Sequence, residues 1–124
     1  MIGKRVLLVE DEALVRLILA ESLEDFGFQV VEASTGDEAA QLIEAGDAFD
    51  LVVTDIQMPG RLDGIAVARH ARHYHADIPV IYVTGRPESM SGVGALGPCD
   101  ALVLKPYGPR DVMTAITRLL CQSG

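Results

Sequence analysis

A layered α/β fold of five β–α units is what the sequence predicts, on three observations. Short apolar runs alternate with stretches whose apolar residues recur at helical spacing. Four of the short runs stop abruptly on polar groups, and in an open parallel sheet the carboxyl ends of the strands are where ligands bind. The chain has 124 residues, 49% hydrophobic and 23% charged, which suits one globular domain with a closed core.

Arg5-Val6-Leu7-Leu8-Val9 reads as the first strand and stops at Glu10-Asp11-Glu12. From Ala13 to Phe26, apolar residues at Leu14, Val15, Ile18, Leu19 and Phe26 make a wide helical stripe, and Gly27 closes it as a C′ residue. Phe28 to Ala33 is a short second strand. Thr35-Gly36-Asp37-Glu38 is a capping box, in which the threonine hydroxyl and the glutamate satisfy free amides at a helix start. That helix runs to about Ala45, with Ala39, Leu42 and Ile43 inward.

The central strand is Leu51-Val52-Val53-Thr54. It ends on Asp55, and Ile56-Gln57-Met58-Pro59-Gly60 turns away at once. Asp63 is placed to cap a helix from Gly64 to about Tyr74 that packs through Ile65, Ala68 and Ala71. Pro79 to Val83 is the fourth strand, stopping at Thr84-Gly85. Ala101 to Leu104 is the fifth, stopping at Lys105-Pro106. The last helix begins near Pro109, a good first-turn residue, and buries Val112, Ile116, Leu119 and Leu120. Between residues 85 and 100, Gly92 and Gly94 fall inside any helix that could form, each costing about 1 kcal/mol against Ala. The fourth helix is therefore predicted to be short and frayed.

A net charge of −8 speaks against a nucleic-acid surface, which wants a basic face, and fits protein partners or a cation. Cys99 and Cys121 have no paired spacing, so neither a disulfide framework nor a zinc site is expected, and the two read as small apolar residues in a reducing cytosol. The apolar run after Lys4 and Arg5 is too short for a signal-peptide core, and none approaches a membrane span. A cytoplasmic protein is expected. His70, His73 and His75 read as a solvated helix end, because a metal role would need further ligands.

Acidic residues, one hydroxyl and one lysine at four strand ends describe a single site. With Glu10-Asp11, Asp55 followed by Met58-Pro59, Asp63-Gly64, Thr84 and Lys105-Pro106, the chain resembles the receiver domain of two-component response regulators over its whole length. The resemblance implies a flavodoxin-like, doubly wound parallel sheet in the order 2-1-3-4-5, with helices on both faces. It implies that Asp55 accepts a phosphoryl group from a phosphohistidine on a histidine kinase or phosphotransfer protein. It also implies Mg²⁺ held by Asp11, Asp55 and the backbone carbonyl of Gln57, with Glu10 acting indirectly. All-oxygen ligation with open water positions suits that ion. Lys105 would meet a phosphoryl oxygen as a point charge, across a cis peptide to Pro106, and Thr84 would donate its hydroxyl to the phosphoryl group.

Three departures stand out. Leu102 occupies the place of the usual aromatic, and Tyr82 in Tyr82-Val83-Thr84-Gly85 resembles a subclass with an aromatic-small-Thr-Gly signature, as a switch partner of Thr84 or as plain core. The stretch from Met58 to Asp63 is one residue longer than the common loop. The acidic pair is Glu-Asp in place of Asp-Asp. The expected function is that of a single receiver domain, residues 1–124, standing alone with no room for an output domain after its last helix. Its phosphorylation would alter affinity for an unidentified downstream protein, with no nucleic-acid or membrane partner. A phosphate sink for a kinase and a fragment of a longer regulator are the alternatives. An aspartyl phosphatase would need an Asp-x-Asp motif on the first strand, and a flavin domain a hydroxyl-rich loop after it; neither is present.

Overall fold

The computed structural model describes residues 3–58 and 60–122, with side chains up to residue 120. In chain order the elements are β1 (Arg5–Val9), α1 (Ala13–Asp25), β2 (Gln29–Ala33), α2 (Gly36–Glu44), β3 (Leu51–Asp55), α3 (Gly64–Tyr74), β4 (Val80–Thr84), a 3₁₀ segment (Pro87–Gly92), β5 (Asp100–Leu104) and α4 (Pro109–Gln122). The strands form one parallel sheet in the order β2-β1-β3-β4-β5, as expected. Near-continuous apolar strands suit a sheet covered on both faces. Alternation divides them: Val6, Leu8, Leu51, Val53 and Ile81 join Leu19, Leu23, Val112, Ile116 and Leu119 on the α1/α4 side. Leu7, Val9, Val52, Val80 and Tyr82 join Ala39, Ile43, Val67, Ala68 and Ala71 on the α2/α3 side.

Most caps follow the sequence reading. Gly27 has φ 98°, and its N–H donates to the Glu24 carbonyl, closing α1. The Asp63 carboxylate accepts the Ala66 N–H at 2.9 Å. The Thr35 hydroxyl accepts the Glu38 N–H at 3.0 Å, but Glu38 reaches back one residue further than a capping box requires, to the Ser34 N–H at 2.8 Å.

The stripe expected on α1 is corrected. Leu14, Ile18 and Phe26 are 69%, 48% and 58% exposed, and Leu17 is also exposed; Leu19, Ala20 and Leu23 make the buried face. The helix has two apolar faces, and periodicity alone cannot say which one the sheet covers. His70 is likewise not simply solvated: it is half-buried, with Nε2 3.1 Å from Glu44 Oε1 across α2 and α3 but not aligned for a hydrogen bond. His73 and His75 are exposed. The weak fourth helix is a 3₁₀ segment with no buried residue, ending at Gly92, and Gly94 has φ 79°. Cys99 is a half-buried free thiol, while the side chain of Cys121 and the whole of Pro59 lie outside the described residues.

Candidate functional site

Parallel register brings the strand ends together. Val9 lies opposite Thr54, Asp55 opposite Val83, and Thr84 opposite Leu104. The residues that follow or finish these strands, Glu10, Asp55, Thr84 and Lys105, therefore meet at one edge of the sheet. Glu10, Asp55 and Thr84 are at most 2% exposed, and Asp11 stands in solvent beside them.

Lys105 Nζ donates to Asp55 Oδ2 at 2.6 Å and lies 4.0 Å from Glu10 Oε1. The Lys105–Pro106 peptide is cis, as expected. Asp55 Oδ1 accepts the Gln57 N–H at 3.1 Å, so both oxygens of this buried carboxylate are engaged. Burial pulls the Lys105 ammonium down, but its bond to Asp55 and the charges of Asp55, Glu10 and Glu12 outweigh that, and its pKa is raised. Glu10 is pushed up to about 7, first by burial and also by Asp11 and Asp55, against the lowering effect of the Glu12 N–H and Lys105. Burial, then the charges of Glu10, Asp55 and Glu12, raise the Tyr107 phenol.

Among the described residues, Glu10, Asp11 and Asp55 form the cluster able to hold a metal, with one oxygen from each within 4.8 Å of the others. Three hard oxygens around one point, one of them exposed to water, fit a divalent cation that keeps part of its hydration.

Thr84 is tied into a network that the sequence did not announce. Its hydroxyl donates to Gln57 Oε1 at 2.7 Å, accepts the Arg86 N–H at 2.9 Å and lies 3.3 Å from Ser89 Oγ. Gln57, expected at the site through its backbone carbonyl, also restrains the threonine through its carboxamide. Tyr82 is 2% exposed and packs within the α2/α3-side core, beside the half-buried Leu102. Its phenol is raised by burial and by Asp100.

Two glycines let neighbouring elements approach the site. A Cβ on Gly64 would run into the Asp55 carbonyl, and one on Gly36 into the Leu62 carbonyl. The Leu62 N–H also donates to Asp37 Oδ1 at 3.1 Å. Leu62, in the loop after β3, thus lies against the start of α2, and Gly60 takes the positive φ of 105° that its turn requires.

Residues 6–117 match the response regulator receiver domain. The chain is 38% identical over 118 residues to the transcriptional regulatory protein ResD of Bacillus subtilis, covering 94% of this chain and 48% of that one. It is 35% identical over 118 residues to the response regulator receiver protein CpdR of Brucella abortus, covering 94% and 97% of the two chains. The chain therefore spans about half the length of ResD but nearly all of CpdR. The crystal structure of a receiver protein from Sinorhizobium medicae superposes with a TM-score of 0.90 at 32% identity, covering 98% of each chain.

Proposed function

This chain belongs to the response regulator receiver family of two-component systems, and we propose that Asp55 is its phosphoacceptor, residues 1–124 acting as one receiver unit in the cytoplasm. The observation that carries this reading is the buried Asp55 carboxylate, gripped by Lys105 at 2.6 Å within a cluster of two further carboxylates. A carboxylate is a competent nucleophile for a labile phosphoryl group. The donor is a phosphohistidine on a histidine kinase or phosphotransfer protein. An Asp55 oxygen forms the new P–O bond as the P–N bond breaks. The imidazole departs with the electron pair, neutral once its other ring nitrogen carries a proton.

Asp11, Asp55 and the Gln57 backbone carbonyl would hold Mg²⁺, with Glu10 close by. When bound, the ion supplies charge neutralisation for the phosphoryl oxygens. Lys105 leaves Asp55 Oδ2 for a phosphoryl oxygen, and Thr84 exchanges its bond to Gln57 for one to the phosphoryl group. The phosphorylated form then changes contacts with a downstream protein, while the chain turns over no substrate besides its own phosphoryl group. Acetyl phosphate with Mg²⁺ should add one phosphoryl group by intact mass. Undiminished labelling of Asp55→Asn would sink the assignment.

A further inference from the structure

Arg16 stands in the first turns of α1 with its guanidinium directed back toward the helix start. A cation there has the wrong sign for the helix dipole, which favours negative charge at the N-terminus. Its contacts account for its presence. Nη1 donates to the Glu10 carbonyl oxygen at 2.7 Å, and Nε donates to Glu32 Oε1 on β2 at 3.2 Å. The Glu10 N–H makes the last ladder contact to β2, donating to Ala33 O at 3.1 Å. Beyond it the chain leaves the sheet, and its carbonyl needs a donor from elsewhere.

We propose that Arg16 is a positioning residue for the metal site: bridging the Glu10 carbonyl and Glu32, it fixes the peptide on which Glu10 and Asp11 stand. This rests on the reading of Glu10, Asp11 and Asp55 as a Mg²⁺ site. The Glu10 carbonyl belongs to the peptide that joins Glu10 to Asp11. Asp11 is exposed and meets the cluster through the Glu10 carboxyl, so a shift of their shared peptide moves both carboxylates together. A single guanidinium therefore links β2, the end of β1 and α1 behind the cluster. Outer partners of this kind are commonly worth ten- to a hundredfold in metal affinity.

Positioning and plain electrostatics predict opposite signs. Removing a positive charge near three carboxylates should tighten cation binding, whereas releasing the Glu10–Asp11 peptide should weaken it. Lysine separates the two further, because a point ammonium keeps the charge but cannot reproduce the two-armed bridge. The test is calorimetric titration of the whole chain with MgCl₂, using wild type, Arg16→Ala, Arg16→Lys, Glu32→Gln and Asp11→Ala, with urea unfolding in EDTA as the control for folding. Both Arg16 variants should raise the Mg²⁺ Kd about tenfold or more. Glu32→Gln should raise it less, since the bond to Glu10 survives. Wild-type or tighter affinity in the Arg16 variants, with Asp11→Ala impaired, overturns the positioning role and leaves the metal site standing. No Mg²⁺ binding by wild type, or full binding by Asp11→Ala, overturns the metal reading and this proposal with it. Should Arg16→Ala fail to fold, Arg16→Lys decides by the same comparison.

Discussion

Lys105 and Glu10 are the two groups beside Asp55 whose pKa values the pocket raises. Lys105 contacts Asp55 directly and is expected to follow the phosphoryl oxygens, not the metal. Lys105→Ala should therefore bind Mg²⁺ at least as well as wild type yet lose phosphotransfer by on the order of a hundredfold, the usual effect of deleting one preorganised donor. Stopped-flow transfer from a phosphorylated kinase, beside a Mg²⁺ titration, separates the two. Burial pushes Glu10 up to about 7 in the folded chain, against 4.5 as its ordinary value. Between those values the folded state binds more protons than the unfolded one, so stability falls as pH rises through that window. Urea unfolding in EDTA from pH 4.5 to 7.5 should show the slope in wild type and a flatter profile in Glu10→Gln. An unchanged slope in the variant would place the titration elsewhere.

At the scale of elements, the contact of α3 with the end of β3 and the 3₁₀ segment do opposite things. Gly64 lets the first turn of α3 sit on the Asp55 carbonyl, and its N–H donates to Ile56 O at 3.1 Å. Gly64→Ala should cost about 1–3 kcal/mol through overpacking against backbone that cannot yield. Because the displaced atom belongs to Asp55, phosphotransfer should fall even in the folded fraction, which denaturant unfolding and transfer rates measured together would reveal. The 3₁₀ segment, by contrast, buries no residue and is anchored by Thr84 through Arg86 and Ser89. Elements with few buried contacts open most easily. Amide exchange of residues 87–98 should be fast before phosphorylation and slower after it, as the Thr84 contact biases a pre-existing equilibrium. Strong protection beforehand, or no change, would rule this switch out.

For the whole molecule, the proposed metal site ties ion binding to folding, because its three carboxylates come together only when β1 and β3 are in register. A ligand that binds only the folded state stabilises it by about 2.7 kcal/mol at a hundred times its Kd. Mg²⁺ should raise the urea midpoint of wild type by that order and leave Asp11→Ala nearly unmoved. No helix among the described residues is long and apolar enough to cross a membrane. The exposed Leu14, Leu17 and Ile18 instead leave an apolar face on α1, on the same side of the sheet as α4.

The sequence by itself determined the number and order of the elements, because strand runs and helical stripes are local patterns, and caps such as Asp63 and Gly27 are local chemistry. It also marked Glu10, Asp11, Asp55, Thr84 and Lys105, since each ends or follows a strand and parallel strands share one ligand-binding edge. Only the tertiary structure decided which face of α1 is buried, because that helix is apolar on two sides and the choice rests with the sheet and α4. Only it paired the Gln57 carboxamide with Thr84, and Arg16 with Glu10 and Glu32. Those bonds join residues 27, 6 and 16 positions apart, and no periodicity or motif encodes where a long polar side chain finds its partner.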